Sequence, residues 1–259
     1  MKGYLEQMFG LEGRVVALTG AGGFLLSEIS RGLARAGARI AALDINIESA
    51  ERTAETVRSE GADAIAMAVD VRRRGDYEAA LVGMLRRWGR LDAAVLGAGA
   101  NAPTPFLEIP IDEWNDILAV QLTGTMLGCQ VFGGQMVSQR NGSIVTISSA
   151  ASGPPLSKAF TYSVAKAGVT NLTRNLAREW AASNVRVNAL RPGFFPTEWS
   201  MKHFITPERE AAILGHTAMK RYGQPHELTG AVMWLLSDAA SFVTGAEIPV
   251  DGGFTAMTI

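Results

Sequence analysis

Residues 142–166 read GSIVTISSAASGPPLSKAFTYSVAK. The segment opens with an apolar run, Ile144 to Ile147, that is typical of a buried β-strand, and it ends in a pattern with helical spacing. Tyr162 and Lys166 are four residues apart, which places them on one face of that helix, one turn from each other. The segment therefore predicts a strand, a loop and a helix that bring strand-end hydroxyls towards a tyrosine and a lysine.

Tyr162 and Lys166 form a pair that is suited to proton transfer. A free tyrosine has a pKa of about 10, which is too high for a base near neutral pH. A nearby ammonium favours the phenolate and lowers that pKa, and such a phenol can exchange a proton with an alcohol or a carbonyl. Taken alone, the spacing is more often an amphipathic tyrosine beside a surface lysine. The functional interpretation therefore depends on the rest of the chain.

Strand-like and helix-like patterns alternate along most of the chain. Apolar runs typical of buried strands cover residues 14–19, 39–44, 64–69, 91–96, 143–147, 185–190 and 247–250. Helical spacing covers residues 24–36, 47–59, 76–88, 112–139, 161–182 and 225–237, with Asp112 as a candidate N-cap. About seven alternations predict an α/β fold, with a doubly wound parallel sheet between two helix layers. In such sheets, ligands bind beyond the carboxyl ends of the strands.

Glycines and an aspartate follow the first two predicted strands. Gly20, Gly22 and Gly23 would let the backbone approach a pyrophosphate at a helix start, although a tight turn would also use them. Asp44 ends the second strand, where a carboxylate accepts ribose hydroxyls and repels a 2′-phosphate, and residues 20–27 contain no Arg or Lys. This favours NAD over NADP. Asp44 could instead cap the next helix.

Composition and charge narrow the function classes. The chain has 259 residues, of which 47% are apolar and 19% charged, which is globular composition. A net charge of −1 gives no field that would recruit nucleic acid or an anionic membrane. The single cysteine, Cys129, lies in an apolar helical stretch, which predicts a buried thiol in a reducing compartment. The N-terminus is not signal-like, and no apolar run reaches the roughly 18 residues of a membrane span. We expect a cytoplasmic protein, and no metal site, because the three histidines lack ligand spacing.

The motifs, in their order, resemble those of the short-chain dehydrogenase/reductase family over nearly the whole chain. They are Thr19-Gly20-x-Gly22-Gly23, Asp44, Asp70, Ala98-Gly99, Ser149, Tyr162-x-x-x-Lys166, Asn188-x-x-x-Pro192-Gly193, Thr197 and Asp251-Gly252-Gly253. The resemblance implies a Rossmann-like fold of three layers in a single NAD-binding domain over residues 1–259. It implies hydride transfer between a nicotinamide cofactor and a secondary alcohol or ketone. It also implies a homotetramer in which the helices at 112–139 and 161–182 pair with symmetry mates.

The resemblance gives four residues catalytic roles. Tyr162 would exchange the proton with the substrate oxygen, and Lys166 would hold the nicotinamide ribose and lower the pKa of Tyr162. Ser149, thirteen residues before Tyr162, would hydrogen-bond the substrate oxygen, so Ser148 is the less favoured partner. Gln121 stands where the family has an asparagine that holds a water for proton relay. The implied cofactor-binding residues are Gly20, Gly22, Gly23, Phe24, Leu25, Asp44, Asp70, Val71, Ala98, Gly99, Tyr162, Lys166, Pro192, Gly193, Phe195 and Thr197.

The chain departs from the family pattern at four places. Phe24 and Leu26 stand where the phosphate loop has glycines, and the second position ordinarily holds a very small residue that packs between helix and strand. Leu96-Gly97 replaces a pair of asparagines, so an amide that braces the strand is lost. The fourth place is Gln121, whose side chain is one methylene longer than asparagine. A dinucleotide-binding protein with weak or no catalysis is therefore one alternative, against which the retained Ser149, Tyr162 and Lys166 argue.

The last third of the chain resembles the sugar-acid branch of the family, which contains D-mannonate oxidoreductases and gluconate dehydrogenases. The motifs are Pro192-Gly-Phe-Phe195, Thr197-Glu198, His216-Thr217-x-Met219-x-Arg221-x-Gly223, Ser241-Phe-Val-Thr-Gly245 and Ile248-Pro-Val-Asp-Gly-Gly-Phe254. A sugar acid needs a cation for its carboxylate, which Lys158 could supply, and hydroxyl partners, which Asn101 and Glu198 could supply. Trp199 could line the pocket beneath a lid at about 194–224. A polyol is a second substrate class, and a broad alcohol or 3-oxoacyl reductase is the alternative enzyme.

Overall fold

The computed structural model describes residues 3–197, 200–202 and 205–258. Seven strands form one sheet in the order β3-β2-β1-β4-β5-β6-β7, and every neighbouring pair is parallel. The strands are β1 Val15–Thr19, β2 Arg39–Asp44, β3 Ala64–Ala68, β4 Ala93–Leu96, β5 Gly142–Ile147, β6 Val185–Pro192 and β7 Glu247–Val250. The predicted α/β, doubly wound parallel sheet of seven strands is confirmed.

Six of the helices begin and end within two residues of the positions that the sequence pattern predicts. The helices are α1 Tyr4–Phe9, α2 Phe24–Arg35, α3 Ile47–Ser59, α4 Arg74–Trp88, α5 Ile111–Gln139, α6 Phe160–Trp180, α7 Pro207–Gly215 and α8 His226–Leu236. The pattern analysis missed α1 and α7. It also placed the N-cap of α5 at Asp112, whereas the helix begins at Ile111 and its cap position is Pro110.

Helix α5 contains two π-helical segments, Ala119–Thr123 and Cys129–Gly133. By length and apolar composition, it is the one helix among the described residues that could cross a membrane. Half of its most apolar window is buried inside the domain, as in a core helix of an α/β protein. Cys129 is buried there, and burial raises the pKa of its thiol to about 12, so the thiol is unreactive at neutral pH.

Apolar side chains cover both faces of the sheet, because successive residues of a strand point in opposite directions. On one face, Val16 and Leu18 pack with residues of α2, α3 and α8. On the other, Val15 and Ala17 pack with residues of α4, α5 and α6. Burying one such aliphatic side chain completely stabilises the fold by about 1.5–3 kcal/mol. The result is the three-layer αβα architecture that the sequence predicts.

The strand order changes direction between β1 and β4. From β1 the chain proceeds outwards to β2 and β3, and then returns to the other side of β1 with β4. The loops after β1 and β4 therefore diverge and leave a crevice at the carboxyl edge of the sheet. The glycine-rich loop and the loops after β2, β4 and β5 all end at this edge, which places the predicted site residues around one opening.

Candidate active site

Helix α6 places Tyr162 in its first turn and Lys166 one turn later. The Ser149 hydroxyl lies beside the phenol of Tyr162 and acts to lower the pKa of that phenol. The Ser149 Oγ also accepts a hydrogen bond from the Ala151 backbone N–H at 3.1 Å, which fixes the loop that follows β5. The Lys166 Nζ lies 5.4 Å from the centre of the Tyr162 ring and donates to the Ile147 carbonyl at 2.7 Å. The structure thus brings Ser149, Tyr162 and Lys166 together.

Burial dominates the electrostatics of this group. It raises the pKa of Tyr162, and the neighbouring Ser149 hydroxyl offsets part of that rise. Burial lowers the pKa of Lys166 to about 7. The expected lowering of the Tyr162 pKa by a charged Lys166 is not found, because desolvation is the largest effect on the phenol. Burial thus favours the uncharged form of both side chains.

Ser148 belongs to a separate buried network. Its hydroxyl lies 2.8 Å from the Thr170 Oγ1 and donates to the Glu247 Oε1 at 3.0 Å. The same Glu247 oxygen accepts from Ser152 at 3.1 Å and from Thr170 at 3.0 Å. Glu247 therefore joins the loop that carries Ser149 to the middle of α6. The geometry agrees with Ser149, rather than Ser148, as the partner of Tyr162.

Sequence patterns gave no sign of Glu247, because it is 99 residues away from Ser148 along the chain. Its other oxygen lies 3.6 Å from Arg191 and 3.8 Å from Arg174. The Nε of Arg191 is buried without a hydrogen-bond partner. A carboxylate that is shared by three hydroxyls and two guanidinium groups makes this corner of the site rigid.

Gln121 lies in the first π-helical segment of α5 with its side chain buried. Its Nε2 donates to the Ala100 carbonyl at 2.7 Å, while its Oε1 has no hydrogen-bond partner. The amide rests against Gly99, where a Cβ would lie 2.9 Å from the Gln121 Nε2. The unpaired oxygen is a polar group for which a water or a ligand would supply the missing hydrogen bond.

A cleft of about 660 Å³ occupies the crevice between β1 and β4. Eleven of the predicted cofactor residues line it, and Arg72 and Ser200 are further lining residues that sequence reasoning missed. The eleven are Gly20, Gly23, Phe24, Leu25, Asp44, Asp70, Val71, Ala98, Gly99, Phe195 and Thr197. Of the other predicted residues, Gly22 contacts the cleft residue Asp44 through its N–H, and Gly193 and Tyr162 line the adjoining cavity. Pro192 and Lys166 are buried and line neither opening.

The backbone of the cleft fits a dinucleotide. Gly20 has a φ of +74°, and a Cβ there would lie 2.9 Å from the Ala98 Cα, so both its conformation and its surroundings favour glycine. Helix α2 begins at Phe24 after Gly23, with no acidic residue in its first turn and no side-chain cap. Its first N–H groups are therefore available to a pyrophosphate.

Asp44 stands at the rim of the cleft with its carboxylate fixed by backbone donors. Its Oδ2 accepts from the Gly22 N–H at 3.0 Å and its Oδ1 from the Asn46 N–H at 3.0 Å. Asn46, not Asp44, caps α3, so the alternative interpretation of Asp44 as a helix cap is wrong. Further along the rim, Arg72 pairs with Asp70 at 2.7 Å and lowers the pKa of that carboxyl.

The large side chain of Leu26 is accommodated by the absence of a side chain at Gly97. Leu26 is buried, and a Cβ on Gly97 would lie 2.9 Å from the Leu26 Cδ2. The larger side chain on α2 thus occupies the volume that a smaller residue at the end of β4 leaves free. The Thr19 Oγ1 accepts hydrogen bonds from the N–H groups of Gly97 at 3.1 Å and Ala98 at 3.4 Å, which braces the segment that lacks the family's amide. The cleft stays open despite the bulk of Leu26 and Phe24.

A second cavity, of about 280 Å³, lies over Tyr162 and Ser149. It shares Phe195 and Ser200 with the cofactor cleft, so the two openings adjoin. The predicted substrate residues Lys158 and Asn101 line this cavity, whereas Trp199 and Glu198 lie outside the described residues. Sequence reasoning missed Arg209, which also lines the cavity, because it lies in the unpredicted helix α7.

No group of three or more His, Cys, Asp or Glu side chains that could hold a metal ion occurs within the part of the chain that the structure describes. The polar side chains that line the cavity over Tyr162 carry hydroxyl, phenol, amine, amide and guanidinium groups. All of these can donate hydrogen bonds to the oxygens of a bound molecule.

Comparison with known proteins agrees with the fold and the motifs. A family model described as enoyl-(acyl carrier protein) reductase matches residues 27–255. D-threitol dehydrogenase from Mycolicibacterium smegmatis is 34% identical over 95% of this chain and 95% of its own length. The structure of a gluconate 5-dehydrogenase from Burkholderia cenocepacia, in complex with NADP and tartrate, has a TM-score of 0.92 at 31% identity. This match covers 98% of this chain and all of the other.

A protein from Haemophilus influenza described as a candidate D-mannonate oxidoreductase was solved with bound NAD. Its structure has a TM-score of 0.91 at 30% identity and covers 96% of this chain and 97% of its own. Nicotinamide dinucleotides of both kinds thus occur among the related structures. Matches of this extent define membership. The chain belongs to the short-chain dehydrogenase/reductase family, whose members are oxidoreductases acting on CH–OH groups, and lies near its gluconate dehydrogenase branch.

Proposed function

We propose that the protein interconverts a secondary alcohol and a ketone on a sugar acid or polyol, with NAD(H) as the hydride carrier. The observation that carries the proposal is the position of Ser149 and Tyr162, which lie side by side. They line a small cavity that adjoins the glycine-rich cleft, with Lys166 one turn below. Such an arrangement can hold a carbinol carbon beside a nicotinamide ring while a proton enters or leaves its oxygen.

The chain's own residues handle the proton and the substrate oxygen. In oxidation, Tyr162 accepts the hydroxyl proton while Ser149 donates a hydrogen bond to the same oxygen; in reduction, the proton moves in the opposite direction. Lys166 is proposed to hold the nicotinamide ribose, and Gln121 to hold a water of the proton relay through its unpaired Oε1. When bound, the nicotinamide supplies or accepts the hydride.

Asp44 supports NAD as the preferred cofactor. Its carboxylate lies at the rim of the cleft, held by two backbone N–H groups, and would face the adenosine ribose. A 2′-phosphate would meet this negative charge. We expect Asp44→Asn to keep NAD turnover within a few-fold and to raise kcat/KM for NADP, by about tenfold for each 1.4 kcal/mol of repulsion removed. A wild-type preference for NADP, or unchanged NADP kinetics in Asp44→Asn, would contradict the assignment.

The size of the second cavity supports a small polar substrate. Its volume of about 280 Å³ is just below the roughly 300–1,000 Å³ that is typical of ligand pockets. Lys158 and Asn101 are proposed to contact the substrate, as is Trp199. Six-carbon acids and alditols suit such a cavity better than a long acyl chain. A broad alcohol or 3-oxoacyl reductase remains the alternative enzyme.

A spectrophotometric screen of nicotinamide reduction and oxidation tests the proposal. Hexonates, alditols and 3-oxoacyl compounds are each offered with NAD(H) and with NADP(H). Turnover of hexonates or alditols with NAD supports the assignment, and turnover of 3-oxoacyl compounds alone supports the alternative enzyme. Tight NADH binding without turnover of any class would favour a dinucleotide-binding protein with little catalysis.

The proposal treats residues 1–259 as one dinucleotide-binding domain in which the segment 194–224 forms a lid over the substrate. We also propose that the protein assembles as a homotetramer and acts in the cytoplasm. We expect neither nucleic acid nor a membrane as a partner. The lid segment contains α7, which makes it a partly helical flap rather than an extended loop.

A further inference from the structure

We propose that Arg209 and Lys158 form an anion-binding wall in the substrate cavity, so that the substrate is a hydroxy or keto acid whose carboxylate contacts Arg209. This inference rests on the proposed function and deepens it, because the residue patterns left acids and uncharged polyols equally open. The proposal assigns a specificity-determining residue on α7, a helix that the sequence analysis missed.

The charges that line the cavity are all of one sign. Among its described lining residues, Arg209 and Lys158 are cationic and none is acidic. Neither cation forms an ion pair with a carboxylate in the part of the chain that the structure describes. Arg209 is half-buried, whereas Lys158 is exposed. A half-buried cation without a counter-charge is unfavourable unless a ligand supplies one, so this cost of burial applies to Arg209, and Lys158 adds a second positive charge at the cavity. Tyr162 and Ser149 line the same cavity, so an acid bound by these cations has its hydroxylated carbons in the cavity that the phenol lines.

Hydrogen bonds to one residue of the catalytic loop hold Arg209 in place. Its Nη1 donates to the Ser157 Oγ at 3.0 Å and its Nη2 to the Ser157 carbonyl at 3.0 Å. A guanidinium has five N–H donors, and these two contacts leave three of them for a ligand. Its planar shape suits a carboxylate, which it can bind through two parallel hydrogen bonds.

The neighbouring Lys158 has a backbone conformation that needs support. Its φ is +60°, in the left-handed region, which costs a non-glycine residue about 1–2 kcal/mol. Such a conformation persists where surrounding contacts fix it. The two hydrogen bonds from Arg209 to Ser157, the preceding residue, supply such contacts and link α7 to the loop. Arg209 thereby acts on the anion both directly and through the position of Lys158.

The test compares a hexonate with the hexitol of the same configuration, which differs only in the charged group. In Arg209→Met, we expect KM for the hexonate to rise about 10- to 100-fold, the range that corresponds to loss of a charge-assisted hydrogen bond. KM for the hexitol should rise at least fivefold less than KM for the hexonate, because the hexitol loses only the effect of Arg209 on the loop, and Arg209→Lys should recover part of the hexonate affinity. Lys158→Met should act in the same direction. The matched control is Arg86→Met, which removes an exposed arginine from α4, outside both cavities.

Two outcomes overturn the inference. One is an unchanged hexonate KM in the double variant Arg209→Met/Lys158→Met; the other is an equal loss for hexonate and hexitol, which would indicate damage to the lid. Wild-type turnover of alditols with no preference for hexonates would reject the anion wall while keeping the proposed function. If neither class reacts, the proposed function fails, and calorimetric titration of the NADH complex with hexonate still decides the inference. Binding that Arg209→Met abolishes supports it, and absence of binding rejects it.

Discussion

At the scale of single residues, the proposed reaction depends on the phenol of Tyr162. Tyr162→Phe removes the oxygen that exchanges the proton and leaves the ring in place, so we expect a loss in kcat of about 10²- to 10⁴-fold. Binding of NADH, followed by its fluorescence, should be retained, because the cleft is built mainly from other residues. Wild-type activity in this variant would reject the role given to Tyr162.

The buried amine of Lys166 predicts a particular pH dependence of stability. Burial depresses its pKa to about 7 in the folded chain, so between about pH 7 and 10.5 the unfolded chain binds more protons. Stability therefore falls as the pH is lowered through this window, and this contribution is constant below about pH 7. Relative to wild type, the free energy of unfolding of Lys166→Met should grow by about 1.4 kcal/mol for each pH unit lowered from about 9 to 7.5.

Urea denaturation at several pH values measures this difference. The control is Lys202→Met, which removes a lysine that is exposed at the protein surface. A constant difference between Lys166→Met and wild type across the window would mean that Lys166 stays charged in the folded protein.

Residue patterns could predict the groups that lie close together in sequence. The spacing of Ser149, Tyr162 and Lys166 along one strand–loop–helix unit was sufficient to bring them together. Arg209 and Glu247 could not be found in this way, because their partners are 52 and 99 residues away and no local pattern links them. The sequence could not predict the direction of the Tyr162 pKa shift either, because that direction depends on how deeply the phenol is buried.

At the scale of secondary-structure elements, the contact between α2 and β4 predicts a coupled pair of substitutions. Leu26 fills the volume beside Gly97, where a Cβ would approach it to 2.9 Å. We expect Gly97→Asn to destabilise the protein by about 1–3 kcal/mol through overpacking. Leu26→Gly alone should also destabilise it, by leaving a cavity of leucine size. The double variant Leu26→Gly/Gly97→Asn restores the family's arrangement and should lose less stability than the sum of the single changes.

Thermal or urea unfolding of the four proteins completes this double-mutant cycle. Additive losses would show that the two residues do not share one volume. NADH affinity provides a second measurement, because Leu26 and Gly97 both line the cofactor cleft.

Strands were easier to predict than the short helices. The alternation of apolar runs with glycines was enough to place the strands, since fully buried parallel strands are continuous apolar segments. Helix α7 has only nine residues and lies within the long connection between β6 and α8. A signal was nevertheless present: Thr206 caps the helix by accepting from the Arg209 N–H, Pro207 is its first residue, and Glu208 and Glu210 lie in the first turn.

At the scale of the whole molecule, the alternation of elements fixed a parallel sheet, but it did not by itself give the strand order. The order follows from right-handed crossovers and from the reversal after β3, which together place β4 beside β1. That reversal opens the crevice in which all the site loops meet. The function thus depends on a property of the topology that no single motif contains.

Exposed apolar side chains on α5 and α6 support the prediction of a homotetramer. Ile111, Phe160 and Val164 are large apolar side chains that are between 47% and 68% exposed at the starts of these helices. Phe160 also contacts the exposed Phe106 ring, with 5.5 Å between ring centres. Such grouped apolar exposure marks interaction surfaces, and helices that pair with symmetry mates would cover it. We expect light scattering after size exclusion to give four times the 27.6 kDa chain mass.

Val164→Glu places a charge in the middle of this surface, and we expect it to shift the mass towards dimers or monomers. The matched control is Val82→Glu, on α4, because Val82 is 53% exposed and Val164 is 51% exposed. Both substitutions are at the surface, so the fold should be kept and far-ultraviolet circular dichroism should be unchanged. A monomeric wild type would exclude the tetramer. A desolvated charge in a packed contact costs several kcal/mol. An unchanged mass for Val164→Glu would therefore place any interface on another face.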